Sequence, residues 1–84
     1  MDWYVYMLRC ADGSLYTGIA ADVERRFGEH KSGRGAKYTR SHPPVAVVYR
    51  EKFSDKSAAL RREAAIKKLP RAKKLKLTEE GNNA

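Results

Sequence analysis

The sequence predicts a single α+β domain with its elements in the order ββαβαα. Three observations predict it. Two short runs of strand composition flank Ala11-Asp12-Gly13-Ser14, and Asp-Gly between such runs is a strong hairpin signal. From Asp22 onward Val23, Arg26, Phe27 and His30 recur at i, i+3, i+4 and i+7, the spacing of one helix face. Val45-Ala46-Val47-Val48-Tyr49 is then an apolar, β-branched run of strand length, followed by two further helical stretches. A chain of 84 residues makes one small domain. Such a chain buries only about 60–65% of its unfolded surface, so the core is modest.

The first strand is expected over 3–9, with Trp3, Val5 and Met7 on one face and Tyr4, Tyr6 and Leu8 on the other. Neither face is polar, so this strand should be central and covered on both sides. The second strand is expected over 14–20. Gly18 inside it marks a bulge or a close approach by backbone or ligand. Asp22 suits the N-cap of a helix over 22–31, and Glu24 suits its positive end. Two basic residues on the inward face of that helix suit a border with a polar site better than a pure core. Ser32 to Pro44 reads as a long connecting loop ended by paired prolines. The third strand is expected over 45–51. A helix over 55–69, capped by Ser54 or Asp55, presents Ala59, Arg62 or Glu63, and Ile66 on one side. Pro70 suits the first turn of a last helix over 70–77, with Leu75 inward and Lys73, Lys74 and Lys76 outward. The domain thus spans 3–77, with 78–84 as a frayed tail.

The hydrophobic share of 42% and charged share of 33% fit a folded domain rather than a disordered chain. The net charge is +8, and the excess is uneven: basic residues far outnumber acids from Lys31 to Arg40 and from Arg61 to Lys76. Such a surface suits a polyanion, most simply nucleic acid, with a merely solubilising surface as the alternative. Lys31, Arg34, Lys37 and Arg40 in the loop and Lys67, Lys73 and Lys74 downstream are the candidate phosphate contacts, and Tyr38 offers a stacking ring. The lone Cys10 leaves no partner for an internal disulfide and fits a reducing, cytoplasmic setting. No apolar run of about 18 residues suggests a membrane span, and no leader pattern opens the chain. A monomer is expected.

Familiar alternatives are missing: there is no P-loop, no paired-glycine fingerprint and no zinc spacing of Cys and His. Glu63 is the one acid placed on an apolar helical face. Buried there, it must be paired, metal-bound or functional.

The ordered set Tyr4-Val5-Tyr6, Tyr16-Thr17-Gly18, Arg26, His30 and Glu63 resembles the GIY-YIG nuclease domain. The first motif is degenerate, with Tyr4 and Val5 where the family name has Gly and Ile. Ala36-Lys37-Tyr38-Thr39-Arg40 and Leu60 to Lys67 resemble the small standalone bacterial branch of that family. The resemblance covers about Trp3 to Leu77. It implies a three-stranded antiparallel sheet flanked by helices and metal-assisted hydrolysis of DNA phosphodiester bonds.

The resemblance also implies roles. Tyr6, or Tyr16 in its place, would be the general base for water. Arg26 would hold the phosphate, and Tyr16 and His30 would orient water or relay the proton. Glu63 would anchor one Mg²⁺ or Mn²⁺ ion, because a hard cation can keep water and take further oxygens from the substrate. Gly18 would let the substrate approach. The chain departs from the family in one respect: the asparagine after the last helix has no counterpart in Lys74 to Thr78, and Asn82 and Asn83 lie close to the end. A catalytically weak nucleic-acid-binding module therefore stands beside the nuclease as an alternative, with a protein adaptor as a third.

Overall fold

In a computed structural model that describes residues 1–81, the chain forms β1 (Trp3–Cys10), β2 (Leu15–Ala20), α1 (Val23–Lys31), α2 (Lys37–Ser41), β3 (Pro44–Phe53), α3 (Lys56–Lys67) and α4 (Arg71–Gly81). The strands make one antiparallel sheet in the order β2-β1-β3, so β1 is central as its two apolar faces require. The expected order ββαβαα is present with one short helix added.

Alternation along β1 divides the core into two layers. Val5 and Met7 point to one face and pack with Tyr49 and with Ala59 and Ile66 of α3. Tyr6 and Leu8 point to the other and pack with Ala20 and with Val23 of α1. The β1–β3 register slips between Met7 and Leu8. As a result two successive residues, Val48 and Tyr49, serve the same layer while Val47 serves the other.

The β1–β2 turn forms where Asp12-Gly13 predicts it. Gly13 takes φ +84°, a left-handed conformation that glycine adopts without strain. The Asp12 carboxylate accepts from the Ser14 amide and hydroxyl, which closes the turn. Asp22 caps α1 through the Arg25 amide, and Asp55 caps α3 through the Ala58 amide.

Four expectations are corrected. The connection after α1 is not wholly loop: Lys37–Ser41 is helical, too short and too polar to show a period. Strand β3 runs on to Phe53, because Trp3 at the start of β1 gives that residue a partner. Helix α3 ends at Lys67 rather than 69. The last helix continues to Gly81 instead of ending at 77, and Leu75 is 39% exposed while Leu69 and Leu77 pack on the core. Of the tail expected over 78–84, residues 78–81 are therefore helical; Asn82, Asn83 and Ala84 lie outside the described residues.

Candidate active site

Tyr6 is fully buried at the centre of the sheet, and its ring crosses the backbone of its cross-strand partner Gly18. A Cβ on Gly18 would stand 2.7 Å from the Tyr6 hydroxyl and 2.9 Å from Cζ. Gly18 is thus required by the close approach of the phenol, not by a turn.

Helix α1 supplies the next two groups from one face. Tyr6 Oη lies 2.9 Å from Nε2 of His30, a residue 1% exposed. The other imidazole nitrogen, Nδ1, faces the Thr39 hydroxyl at 2.7 Å and the Ala36 amide at 3.3 Å. Gly35 makes this enclosure possible, since a Cβ there would collide with Nδ1. Burial, and then the Arg26 charge, push the His30 pKa down, which keeps the ring neutral near pH 7. The Arg26 guanidinium donates to Glu29 at 2.9 Å and also acts on the Tyr6 phenol.

At the Tyr6 phenol the pull of the neighbouring Arg26 charge is outweighed. Burial, then Tyr16, push its pKa up to about 12; Arg26 pulls the other way and the Glu63 charge adds to the rise. Tyr16, on the same face of β2, sets its ring 5.0 Å from His30 and 6.5 Å from Tyr6 between centroids. Tyr38 of α2 stacks on Tyr16 at 5.9 Å, and His42 stacks on Tyr38 at 4.1 Å. The His42 imidazole is held in turn by Asp12, 2.6 Å away in the hairpin turn.

Glu63 comes from the other layer, since α3 packs on the Val5 and Met7 face. Its charge still acts on the Tyr6 phenol, and α3 also packs against the edge strand β2. A cavity of about 200 Å³ there joins Tyr16 and Tyr38 to Leu15, Thr17, Lys67 and Lys74. The Glu63 carboxylate, 18% exposed, pairs with Lys67 at 3.3 Å, one helical turn away, and not with an arginine.

Among the described residues no group of three or more His, Cys, Asp or Glu could hold a metal ion. A lone carboxylate such as Glu63 could hold a hard cation only if water and substrate oxygens completed the shell, and only in competition with Lys67.

The remaining expected contacts disperse. Lys31, Arg34, Lys37 and Arg40 are exposed around α2 and its approach, with Lys31 over the Phe27 ring. Lys73 lines a separate groove with Leu69, Lys76 and Leu77. Thr39 and Gly35 are site residues that the sequence pattern does not reveal. Thr39 lies within the segment over 36–40 that carries the resemblance but is not singled out there, and Gly35 carries no signal of its own.

A family profile described as the GIY-YIG catalytic domain matches residues 2–76. A UPF0213 protein of Staphylococcus saprophyticus is 55% identical over 78 residues, which cover 93% of this chain and 95% of the relative. One from Natronomonas pharaonis is 58% identical over 76 residues, 90% of this chain and 89% of the relative. The solution structure of a UPF0213 protein from Bacillus halodurans is similar with a TM-score of 0.60 at 48% identity, covering 94% of this chain and 84% of that one.

Proposed function

The chain belongs to the GIY-YIG family, and from that premise we propose that it is a metal-dependent endonuclease hydrolysing phosphodiester bonds in DNA, in repair or processing. The observation that carries the proposal is the buried contact of 2.9 Å between the Tyr6 hydroxyl and His30, with Arg26 acting on the same phenol. A core tyrosine needs one hydrogen-bond partner. A phenol held beside an imidazole and a guanidinium is equipped to exchange a proton with a molecule that reaches it.

In this proposal Tyr6, as phenolate, takes the proton of a water that attacks phosphorus in line; the bond to the leaving oxygen breaks, and that oxygen takes a proton from solvent water. Arg26 holds a non-bridging phosphate oxygen and stabilises charge developing there. Tyr16 orients the water or the phosphate. Glu63 holds Mg²⁺ or Mn²⁺, which when bound supplies a Lewis acid for the phosphate. Lys31, Arg34, Lys37, Arg40, Lys67, Lys73 and Lys74 contribute the field that gathers the polyanion, with Tyr38 beside Tyr16 at the rim. No helix among the described residues is long and apolar enough to cross a membrane.

The rise of the Tyr6 pKa to about 12 favours a second reading, a nucleic-acid-binding module that cuts slowly or not at all. Glu63→Gln separates the two. It keeps volume but removes the charge that a hard cation needs. On branched, nicked and linear DNA with Mg²⁺ and Mn²⁺, wild type should cut and the variant should not, while DNA binding without metal persists. Because the Lys67 end of the ion pair is 53% exposed, stability should change by less than about 1 kcal/mol. Wild-type binding with no metal-dependent cleavage on any substrate would leave the binding module.

A further inference from the structure

We propose that the cavity beside β2 is a subsite for one unpaired nucleotide of the DNA, with the base on the rings of Tyr38 and Tyr16 and a phosphate on Lys74. This names the substrate class of the proposed nuclease and rests on that reading.

Among the described residues the large apolar side chains left exposed are Met1, Tyr38, Val45, Leu60 and Leu75, and Tyr38 is the one aromatic ring in that set. Its ring is held in place from behind. His42 stacks on it at 4.1 Å and 17°, and the Asp12 carboxylate holds the His42 imidazole at 2.6 Å. Asp12 is fixed in turn by the Ser14 amide and hydroxyl in the hairpin turn. A ring ordered before its ligand arrives lowers the cost of binding.

The side that receives a ligand follows from the neighbours. Toward His42 the stack is tight, whereas Tyr16 lies 5.9 Å from Tyr38 with a tilt of 26°. The cavity is lined by both tyrosines and not by His42, so it lies on the looser side of the ladder. Its volume of about 200 Å³ is below the roughly 300 Å³ at which sites for drug-sized molecules begin, which leaves room for one planar ring and little more. Lys67 and Lys74 line the same cavity. Lys67 is engaged by Glu63 at 3.3 Å, which leaves Lys74 as the ammonium for a phosphate.

These features select the unpaired strand. A duplex offers a protein its base edges and its backbone, and neighbouring pairs cover the faces of its bases. An unpaired base has a free face, and aromatic rings beside a cation are the means by which proteins hold such strands.

The test is binding without metal to three DNAs of equal length and phosphate number: a duplex with a short unpaired segment, the same duplex with that segment abasic, and a fully paired duplex. Wild type should prefer the first over each of the others by about five- to 150-fold, the value of one stacked base. Tyr38→Phe should keep that preference and Tyr38→Leu should remove it, with the salt slope unchanged in both because no phosphate contact is lost. Lys74→Gln should keep the preference and flatten the slope by about 0.7–0.9 units. An iodouracil in the unpaired segment should crosslink to Tyr38 or Tyr16 under ultraviolet light. Equal affinity for base-bearing and abasic DNA would overturn the proposal, as would a folded Tyr38→Leu protein that keeps the preference. Should Tyr38→Leu fail to fold, the crosslink decides, and one confined to other residues would overturn the proposal. A wild type with this preference that cuts nothing would remove the nuclease and leave the subsite; one that cuts but binds the three DNAs alike would do the reverse.

Discussion

At Tyr6 two demands meet. Burial favours the neutral phenol and places its pKa at about 12, whereas a base for water must be a phenolate. Deprotonation at pH 7 from that value costs about 7 kcal/mol. Groups aimed at the oxygen must offset part of it: Arg26, His30, and a cation that neutralises Glu63. The same conflict has a signature in stability. The folded value lies above the unfolded value of about 10, so the neutral phenol favours the folded state. That contribution is intact below pH 10 and is lost as pH rises through 12, at most about 3 kcal/mol from this 1%-exposed residue. Urea unfolding across pH 10–12 should show a steeper loss in wild type than in Tyr6→Phe. Equal slopes would mean that the phenol is not held neutral by its site.

At the scale of elements, α1 and the α1–α2 turn carry the site, and their glycines differ in kind. Gly28 lies within α1, and a Cβ added there would meet nothing within 4 Å, whereas at Gly35 it would run into the His30 ring. Gly28→Ala should therefore stabilise by up to about 1 kcal/mol through helix propensity. Gly35→Ala should destabilise by about 1–3 kcal/mol and disturb the His30 signals. Thermal unfolding of the pair checks both signs, and a neutral Gly35→Ala would show that the turn does not grip the ring. The same contrast explains what the sequence conveys. Helix α1 is legible because Val23, Arg26, Phe27 and His30 repeat over two turns, and all four face inward or partly so. Helix α2 is not, because its five residues hold one buried side chain, Thr39. The expected inward placement of Leu75 fails because the last helix has no clear apolar stripe; Leu77 within it and Leu69 just before it reach the core instead. Tyr6, Tyr16, Arg26 and His30 are legible as an ordered motif. Thr39 and Gly35 act through shape and a single hydroxyl, which no spacing announces.

For the whole molecule the governing quantity is charge. A net charge of +8 on so small a domain, with exposed Lys31, Arg34, Lys37 and Arg40 grouped around α2, favours contact with a polyphosphate. Affinity for duplex DNA should fall with salt at a log–log slope of about −0.9 per phosphate neutralised. Removing Arg34 and Arg40 together should flatten that slope by roughly 2 units without changing the fold. A wild-type slope near zero would remove nucleic acid as the partner. The central claim is that the Tyr6 hydroxyl does chemistry and does not merely fill the core. Tyr6→Phe removes that oxygen and leaves the ring among Leu8, Ala20 and Val23. Its cleavage rate, measured with Mg²⁺ or Mn²⁺ beside its DNA affinity and fold, is the most direct measurement. The account predicts a loss of about 100-fold or more, with affinity and fold retained. Cleavage within a few-fold of wild type at equal affinity would contradict it.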